Sequence, residues 1–342
     1  MHILPDRNTF DQLVKSSPRI PICGQQKLSG LKLSGLYEQL FSDTENSFLL
    51  ESGNGPEETA RYSMMGNAST KLIEIRGKRA RLFSNGEWVS EWDQPDSALS
   101  LLNFDKNVRP VDYLPHFWGG WVGFIGYEAG AWFENLPARE SSGSNIPDLL
   151  FMEVERFFLY DHLTEELKFI VSQKVEKNDS HYDDICAEIK RVWCDLIPTL
   201  NITTEKANSE NPQLEKSSLS SRELKSNLSQ NDYIEKVERA KNYIREGDIY
   251  QANLAQKFET HFEESSYHLY KNLMRVNPSP FSGYMRFRDF SLVSSSPERL
   301  VKVHENCIET RPIAGTRPRG KKDDEDRALS AELLLNTKER AE

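Results

Sequence analysis

Residues 294–320 read SSSPERLVKVHENCIETRPIAGTRPRG, and the fold is read outward from them. Two β-rich runs, 290–294 and 300–303, flank the corner Ser295-Ser296-Pro297-Glu298, and a further strand-like run leads into Pro312-Ile313-Ala314-Gly315-Thr316. Such a corner puts the Glu298 carboxylate at a strand end. Gly315 lets the backbone approach a ligand with no Cβ in the way.

Working back from this stretch, residues 267–276 have helical spacing and are stopped by Asn277-Pro278-Ser279-Pro280. Residues 248–258 read as a strand whose Gln251, Asn253 and Gln256 are polar, fitting either a lined cavity or an edge strand with one wet face. Residues 233–246 form a helix by spacing, with Asn231 available as cap and Gly247 as stop. Residues 201–230 are rich in Ser, Asn, Glu and Lys, a linker composition. They divide the chain into an amino-terminal region, 1–200, and a later region, 231–342. After Gly320 a charged run leads into a helix from about Glu325 to Glu342.

The amino-terminal region reads as mostly strands. Residues 32–41 and 182–196 have helical spacing, whereas 47–52, 61–65, 151–160 and 167–173 read as strands. Residues 70–83 and 88–92 form a hairpin around Asn85-Gly86, which predicts a type I′ turn. Residues 117–127, FWGGWVGFIGY, lack the spacing of a dinucleotide loop; four glycines among aromatics predict a crowded strand where backbones approach closely. His162, beside the turn after 151–160, reads as a local hydrogen-bonder.

The chain of 342 residues carries 43 basic and 53 acidic side chains, with no long basic run. Neither nucleic acid nor an anionic membrane is the expected partner, and a cytoplasmic location is the default. Cys23, Cys186, Cys194 and Cys307 have no C-x-x-C spacing, which predicts reduced thiols. Gly315–Lys322 imitates a phosphate loop but has Lys where a Ser or Thr must hold magnesium, and no clear helix start. No glutaminase elbow with a cysteine nucleophile is present.

RPIAGTRPRG and SSSPE resemble the chorismate-utilising enzymes: anthranilate synthase component I, aminodeoxychorismate synthase component I, and the salicylate and isochorismate synthases. The resemblance continues in NSFLLESGNGPEETARYSMMG (46–66), GGWVGFIGYE (119–128), EGDIYQANLAQKF (246–258) and NPSPFSGY (277–284), in the family's order. It implies an α+β fold in which large antiparallel sheets pack as a sandwich with helices outside. It also implies chorismate as substrate, whose allylic hydroxyl leaves as its proton arrives.

By resemblance, Glu298 is the proton donor, and Gly315 and Thr316 contact the substrate. Glu342, in the K-E-x-x-E pattern at 338–342, is a magnesium ligand. Ala314 stands where some members carry a lysine nucleophile, which leaves room for ammonia supplied by a separate glutamine amidotransferase subunit. Ser52 and Pro280 fall where the family lines a tryptophan pocket. YQANLAQ and NPSPFSGY are similar to aminodeoxychorismate synthase, so 4-amino-4-deoxychorismate is the expected product, with anthranilate the alternative. The family pattern runs on past Glu342, so the resemblance leads us to expect an incomplete polypeptide. A third reading is a non-catalytic remnant that binds tryptophan.

Overall fold

In residues 156–161, RFFLYD, every second side chain serves a different layer of the core. Phe158 and Tyr160 join one buried cluster, and Phe157 and Leu159 join another. A strand apolar on both faces must lie between two packed layers, because successive side chains point to opposite faces. The computed structural model describes residues 1–52, 60–68, 70–102, 110–134, 136, 146–175, 181–207, 223–313 and 315–341.

The strands in chain order are β1 (His2–Leu4), β2 (Ile22–Lys27), β3 (Ser47–Glu51), β4 (Tyr62–Asn67), β5 (Lys71–Arg76), β6 (Arg79–Ser84), β7 (Glu87–Trp92) and β8 (Gly120–Ile125). There follow β9 (Leu149–Val154), β10 (Arg156–Asp161), β11 (Glu166–Val171), β12 (Lys225–Ser226), β13 (Phe258–Glu259), β14 (Phe281–Arg286), β15 (Ser291–Ser296), β16 (Arg299–His304) and β17 (Cys307–Arg311). The helices are α1 (Arg7–Leu13), α2 (Leu33–Leu40), α3 (Pro95–Leu99), α4 (His181–Ala207), α5 (Gln230–Glu246), α6 (Ser266–Val276), α7 (Asp323–Leu335) and α8 (Thr337–Ala341).

An antiparallel eight-stranded sheet runs β1-β2-β11-β10-β4-β3-β14-β15, and a five-stranded one β7-β6-β5-β9-β8. Cys23, Phe48, Phe157, Leu159 and Ile170 of the first sheet share a cluster with Leu72, Val122, Leu150, Met152 and Val154 of the second. The expected sandwich is therefore present. Helices cover the other face of the large sheet, through Leu33, Leu36 and Tyr37 of α2, Ile185, Ile189 and Trp193 of α4, and Tyr267 and Tyr270 of α6.

The polypeptide divides into two compact units, Met1–Asn208 with Ser266–Glu342, and Ser209–Ser265. The first holds both large sheets: β14 pairs with β3, Tyr284 opposite Leu49, so late sequence completes an early sheet. In the second, α5 is capped and β12 pairs with β13.

Several expectations need correction. Residues 151–160 are not one strand: β9 belongs to the small sheet and β10 to the large one, and the chain changes sheets at Glu155. Apolar side chains on both faces hide that step from a pattern reading. Residues 248–257 form no strand; Gln256 Nε2 donates to Ser226 Oγ (2.9 Å) and the Lys257 amide to Asn227 Oδ1 (2.8 Å). Isolated alternation makes no strand without a partner ladder. The α5 cap is Ser229, in a reciprocal box with Asp232, rather than Asn231, while Gly247 is the stop at φ 83°. Helix α4 continues to Ala207, past Pro198 and into the expected linker.

The helix expected from 325 to 342 breaks at Asn336, whose backbone is extended and whose Oδ1 accepts the Glu339 amide at 3.3 Å. A helix does start after Lys322, but its first turn carries Asp323, Asp324, Glu325 and Asp326. The amides a phosphate loop would offer are taken: Gly320 N donates to Asp326 Oδ1 (2.8 Å) and Lys321 N to Glu325 Oε2 (2.7 Å). The Asn85-Gly86 turn has positive φ at both residues (50° and 97°), as type I′ requires.

Candidate functional site

Strand β15 ends at Ser296, and Pro297 cannot continue a ladder, so the chain turns there. Ser296 Oγ accepts the Glu298 amide (3.3 Å) and donates to the Glu298 carbonyl (3.2 Å), closing the corner locally. The exposed Glu298 carboxylate accepts the Ile313 amide at 3.3 Å. This bond joins the corner to the loop after β17. Beside it, Arg299 and Arg311 both reach the Glu309 carboxylate, and Arg299 lies 5.2 Å over the Phe281 ring.

Farther along that loop, a Cβ on Gly315 would stand 1.8 Å from Glu339 Oε2. Only a glycine leaves room for this carboxylate to pack on the loop. Arg317 ties the same place together, contacting Glu339 (3.4 Å) and Glu332 (3.2 Å) and donating to the Thr316 carbonyl (2.9 Å). Helix α8 is thereby seated on residues 315–317. Ala314 and Glu342 lie outside the described residues. Among the described residues no group of three or more His, Cys, Asp or Glu side chains is arranged to hold a metal ion.

A second site is a cavity of about 430 Å³ on the helix-covered side of the large sheet. Its wall includes Lys32, Glu51, Ser52, His162, Met274 and Pro278. Four tyrosines lie close by: Tyr37, Tyr267, Tyr270 and Tyr284, with ring centroids 5.1–6.0 Å apart in each contacting pair. Tyr270 donates to Glu51 Oε2 (2.8 Å), and the Ser34 amide lies 3.2 Å from Oε1. Burial raises the Glu51 carboxyl above the ordinary range, against those hydrogen bonds.

Ser52 is on this wall, with its hydroxyl donating to the Tyr62 carbonyl (2.6 Å) and its amide to Ser63 Oγ (3.0 Å). From the Asn277-Pro278-Ser279-Pro280 turn it is Pro278 that lines the cavity, and Pro280 stands just before β14. His162 is the local hydrogen-bonder expected, its Nε2 2.7 Å from Ser63 Oγ, but it also borders the cavity. The sequence reading missed Lys32, Glu51 and Met274. For Glu51 a signal existed: a carboxylate closing the apolar run Phe48-Leu49-Leu50 at a strand end.

Two further expectations concern other side chains. A Cβ on Gly123 would meet the Leu150 carbonyl oxygen at 2.0 Å, the close approach predicted for the glycine-rich strand. Cys23 and Cys186 are buried free thiols, and Cys194 and Cys307 exposed ones. Among the described residues no helix is long and apolar enough to cross a membrane.

A sandwich of antiparallel sheets thus carries a strand-end carboxylate tied to the loop after β17 and, apart from it, a cavity on the helix-covered side. Residues 45–342 match the model of the chorismate binding enzyme family, and the chain belongs to that family. It is 34% identical over 308 residues to anthranilate synthase component 1 of Acetivibrio thermocellus, covering 88% of this chain and 61% of that protein. It is 30% identical over 307 residues to aminodeoxychorismate synthase component 1 of Bacillus subtilis, covering 90% and 62%. The crystal structure of anthranilate synthase component I from Streptococcus pneumoniae superposes with a TM-score of 0.59 at 25% identity, covering 82% of this chain and 58% of that one. The chain thus spans about three fifths of the length of these relatives.

Proposed function

We propose that this polypeptide is the chorismate-handling part of a chorismate-aminating synthase, with Glu298 as the acid that protonates the departing hydroxyl. The observation that supports the reading is the bond from the Ile313 amide to Glu298 Oε1, which ties the carboxylate to the end of the segment that precedes Gly315 and Thr316 in the sequence. Hydroxide leaves poorly, so a carboxylic acid within reach of the oxygen is required. Ala314 leaves the position open for ammonia, delivered by a glutamine amidotransferase subunit. Mg²⁺, with Glu342 as one ligand, would neutralise a substrate carboxylate. The described residues do not themselves form the metal's site. The second cavity is proposed to take tryptophan, with Ser52 and the 277–280 turn on its wall, and Pro280 assigned there by resemblance alone. The division at 201–230 and a cytoplasmic location remain part of this reading.

The product we favour is 4-amino-4-deoxychorismate, on the strength of YQANLAQ and NPSPFSGY and of the Bacillus relative. A second reading, anthranilate, is favoured by the larger number of relatives bearing the name anthranilate synthase component 1 and by Ala314. Incubation with chorismate, Mg²⁺ and ammonium separates the two. Anthranilate appears as a fluorescent aromatic with release of pyruvate, and 4-amino-4-deoxychorismate retains the enolpyruvyl group. If neither forms with any amidotransferase subunit, the remnant that binds tryptophan without turnover is the better description.

A further inference from the structure

Strand β8 is the end strand of the five-stranded sheet, and the chain leaves it through a short 3-10 helix, Tyr127–Trp132. Backbone bonds frame this segment: the Gly126 amide donates to the Asp148 carbonyl (2.7 Å), and the Phe133 and Glu134 amides both donate to the Gly130 carbonyl (3.1 and 3.0 Å). The frame turns apolar groups outward. Tyr127 is 96% exposed and Phe133 72%, with Ile125, Leu136 and Ile146 exposed as well. Single apolar residues on a surface need no explanation, but a group of aromatic and aliphatic side chains on one hydrogen-bonded frame marks a docking surface.

The charges at its border say what docks. Trp132 Nε1 donates to the Gly77 carbonyl (3.0 Å), which sets the segment against the turn between β5 and β6. Of the cations in that turn, Arg76 is paired with Glu74 and Arg79 with Glu91. Lys78 is exposed and has no partner among the described residues. Glu134, next to Phe133, is likewise exposed and without a partner among them. One face thus carries apolar anchors, a spare cation and a spare anion. An isologous interface joins the same patch of two copies by a half rotation, so that a residue of one copy meets a different residue of the other and the reverse. A face with both signs of charge complements itself under that rotation. The net charge of −10 makes two copies repel at long range, so contact between them needs such local pairing.

We infer that this polypeptide associates with a second copy of itself through the 125–136 segment, as a two-fold dimer. Tyr127 and Phe133 are its apolar anchors, and Lys78 of one copy faces Glu134 of the other. The inference holds or falls independently of the chorismate reading.

Sedimentation velocity of the whole chain tests it. Wild type passes from monomer to a species of twice the mass as its concentration rises from about 1 to about 100 μM. Phe133→Asp stays monomeric. Lys78→Glu and Glu134→Lys each raise the dissociation constant about tenfold or more, because a reversal sets like charges together at both symmetric contacts. The double variant Lys78→Glu/Glu134→Lys returns to within about threefold of wild type, and an equimolar mixture of the two single variants dimerises too. All three substituted side chains are exposed, so the melting curves of the variants coincide with wild type and separate lost association from lost folding. A wild-type chain that stays monomeric throughout overturns the inference and leaves the patch to a different protein. A dimer indifferent to Phe133→Asp or to the charge reversals overturns it as well, as does a double variant that fails to restore what the single reversals remove.

Discussion

The amide of Ile313 donates to Glu298 Oε1 across 3.3 Å, and so two segments separated by the whole β16–β17 hairpin meet at one carboxylate. The hairpin brings the corner back beside the loop that follows it. Glu298 is exposed to solvent.

Replacing Glu298 by Gln keeps the size of the side chain and removes the proton it can give. Turnover of chorismate is expected to fall about 10²- to 10⁴-fold, with the thermal midpoint unchanged because the residue is exposed. Steady-state kinetics beside a melting curve checks this. Full activity in the variant would remove Glu298 from the chemistry.

Glu51 has its carboxyl raised by burial, so in the folded chain it holds its proton to a higher pH than when unfolded. Its contribution to stability is complete below the unfolded value of about 4.3 and is lost as pH rises through the raised folded value. Glu51→Gln cannot ionise and lacks this slope. The difference in thermal midpoint between wild type and Glu51→Gln, followed across that window, should move in favour of Gln as pH rises. A pH-independent difference would rule out Glu51 as its source.

The rings of His116 and His304 lie tilted by 30° to each other with centroids 3.4 Å apart. Partial loss of solvent around an otherwise exposed ring, then the charges of His304 and Lys302, hold His116 below its ordinary value, with Glu305 acting the other way. Both imidazoles cannot be charged in this arrangement without repulsion. The contact therefore stabilises above about pH 6.5 and is lost as pH falls below that value. His304→Phe preserves the ring contact without the charge, and its melting temperature should fall less than that of wild type between about pH 7.5 and about pH 5.5. Parallel curves would refute the assignment.

Gly123→Ala puts a methyl group into the Leu150 carbonyl at 2.0 Å and near Phe151 Cα at 2.7 Å, both of them backbone atoms. Neither can swing aside as a side chain does. A loss of about 3 kcal/mol is expected in chemical denaturation. Gly315→Ala is a contrasting control: it meets the tip of the Glu339 side chain, which can turn away. Its cost should be smaller and should vanish in a Glu339→Ala background.

Local chemistry was legible from the residues alone. Pro297 makes a corner, Asn85-Gly86 makes a type I′ turn, Gly247 ends a helix, and the Asn277–Pro280 run ends α6, because each depends on backbone preferences carried by one or two residues. The motifs around Glu298 and Gly315 likewise pointed to the family. What alternation could not show was the step at Glu155, since β9 and β10 are apolar on both faces and nothing in either strand says which sheet it joins. Residues 248–257 fail in the opposite sense, with a strand-like pattern and no partner.

The sequence by itself determined where the chain turns and which segments bury apolar faces, since those are fixed by dihedral preference and by transfer from water. Only the tertiary structure decided the cavity, whose wall takes Lys32, Glu51, His162 and Pro278 from four separate segments. The pairing of β3 with β14 is what brings these pieces together. Hydrogen bonds between residues far apart in the chain exist only once a sheet has set its strand order, and no local preference encodes that order.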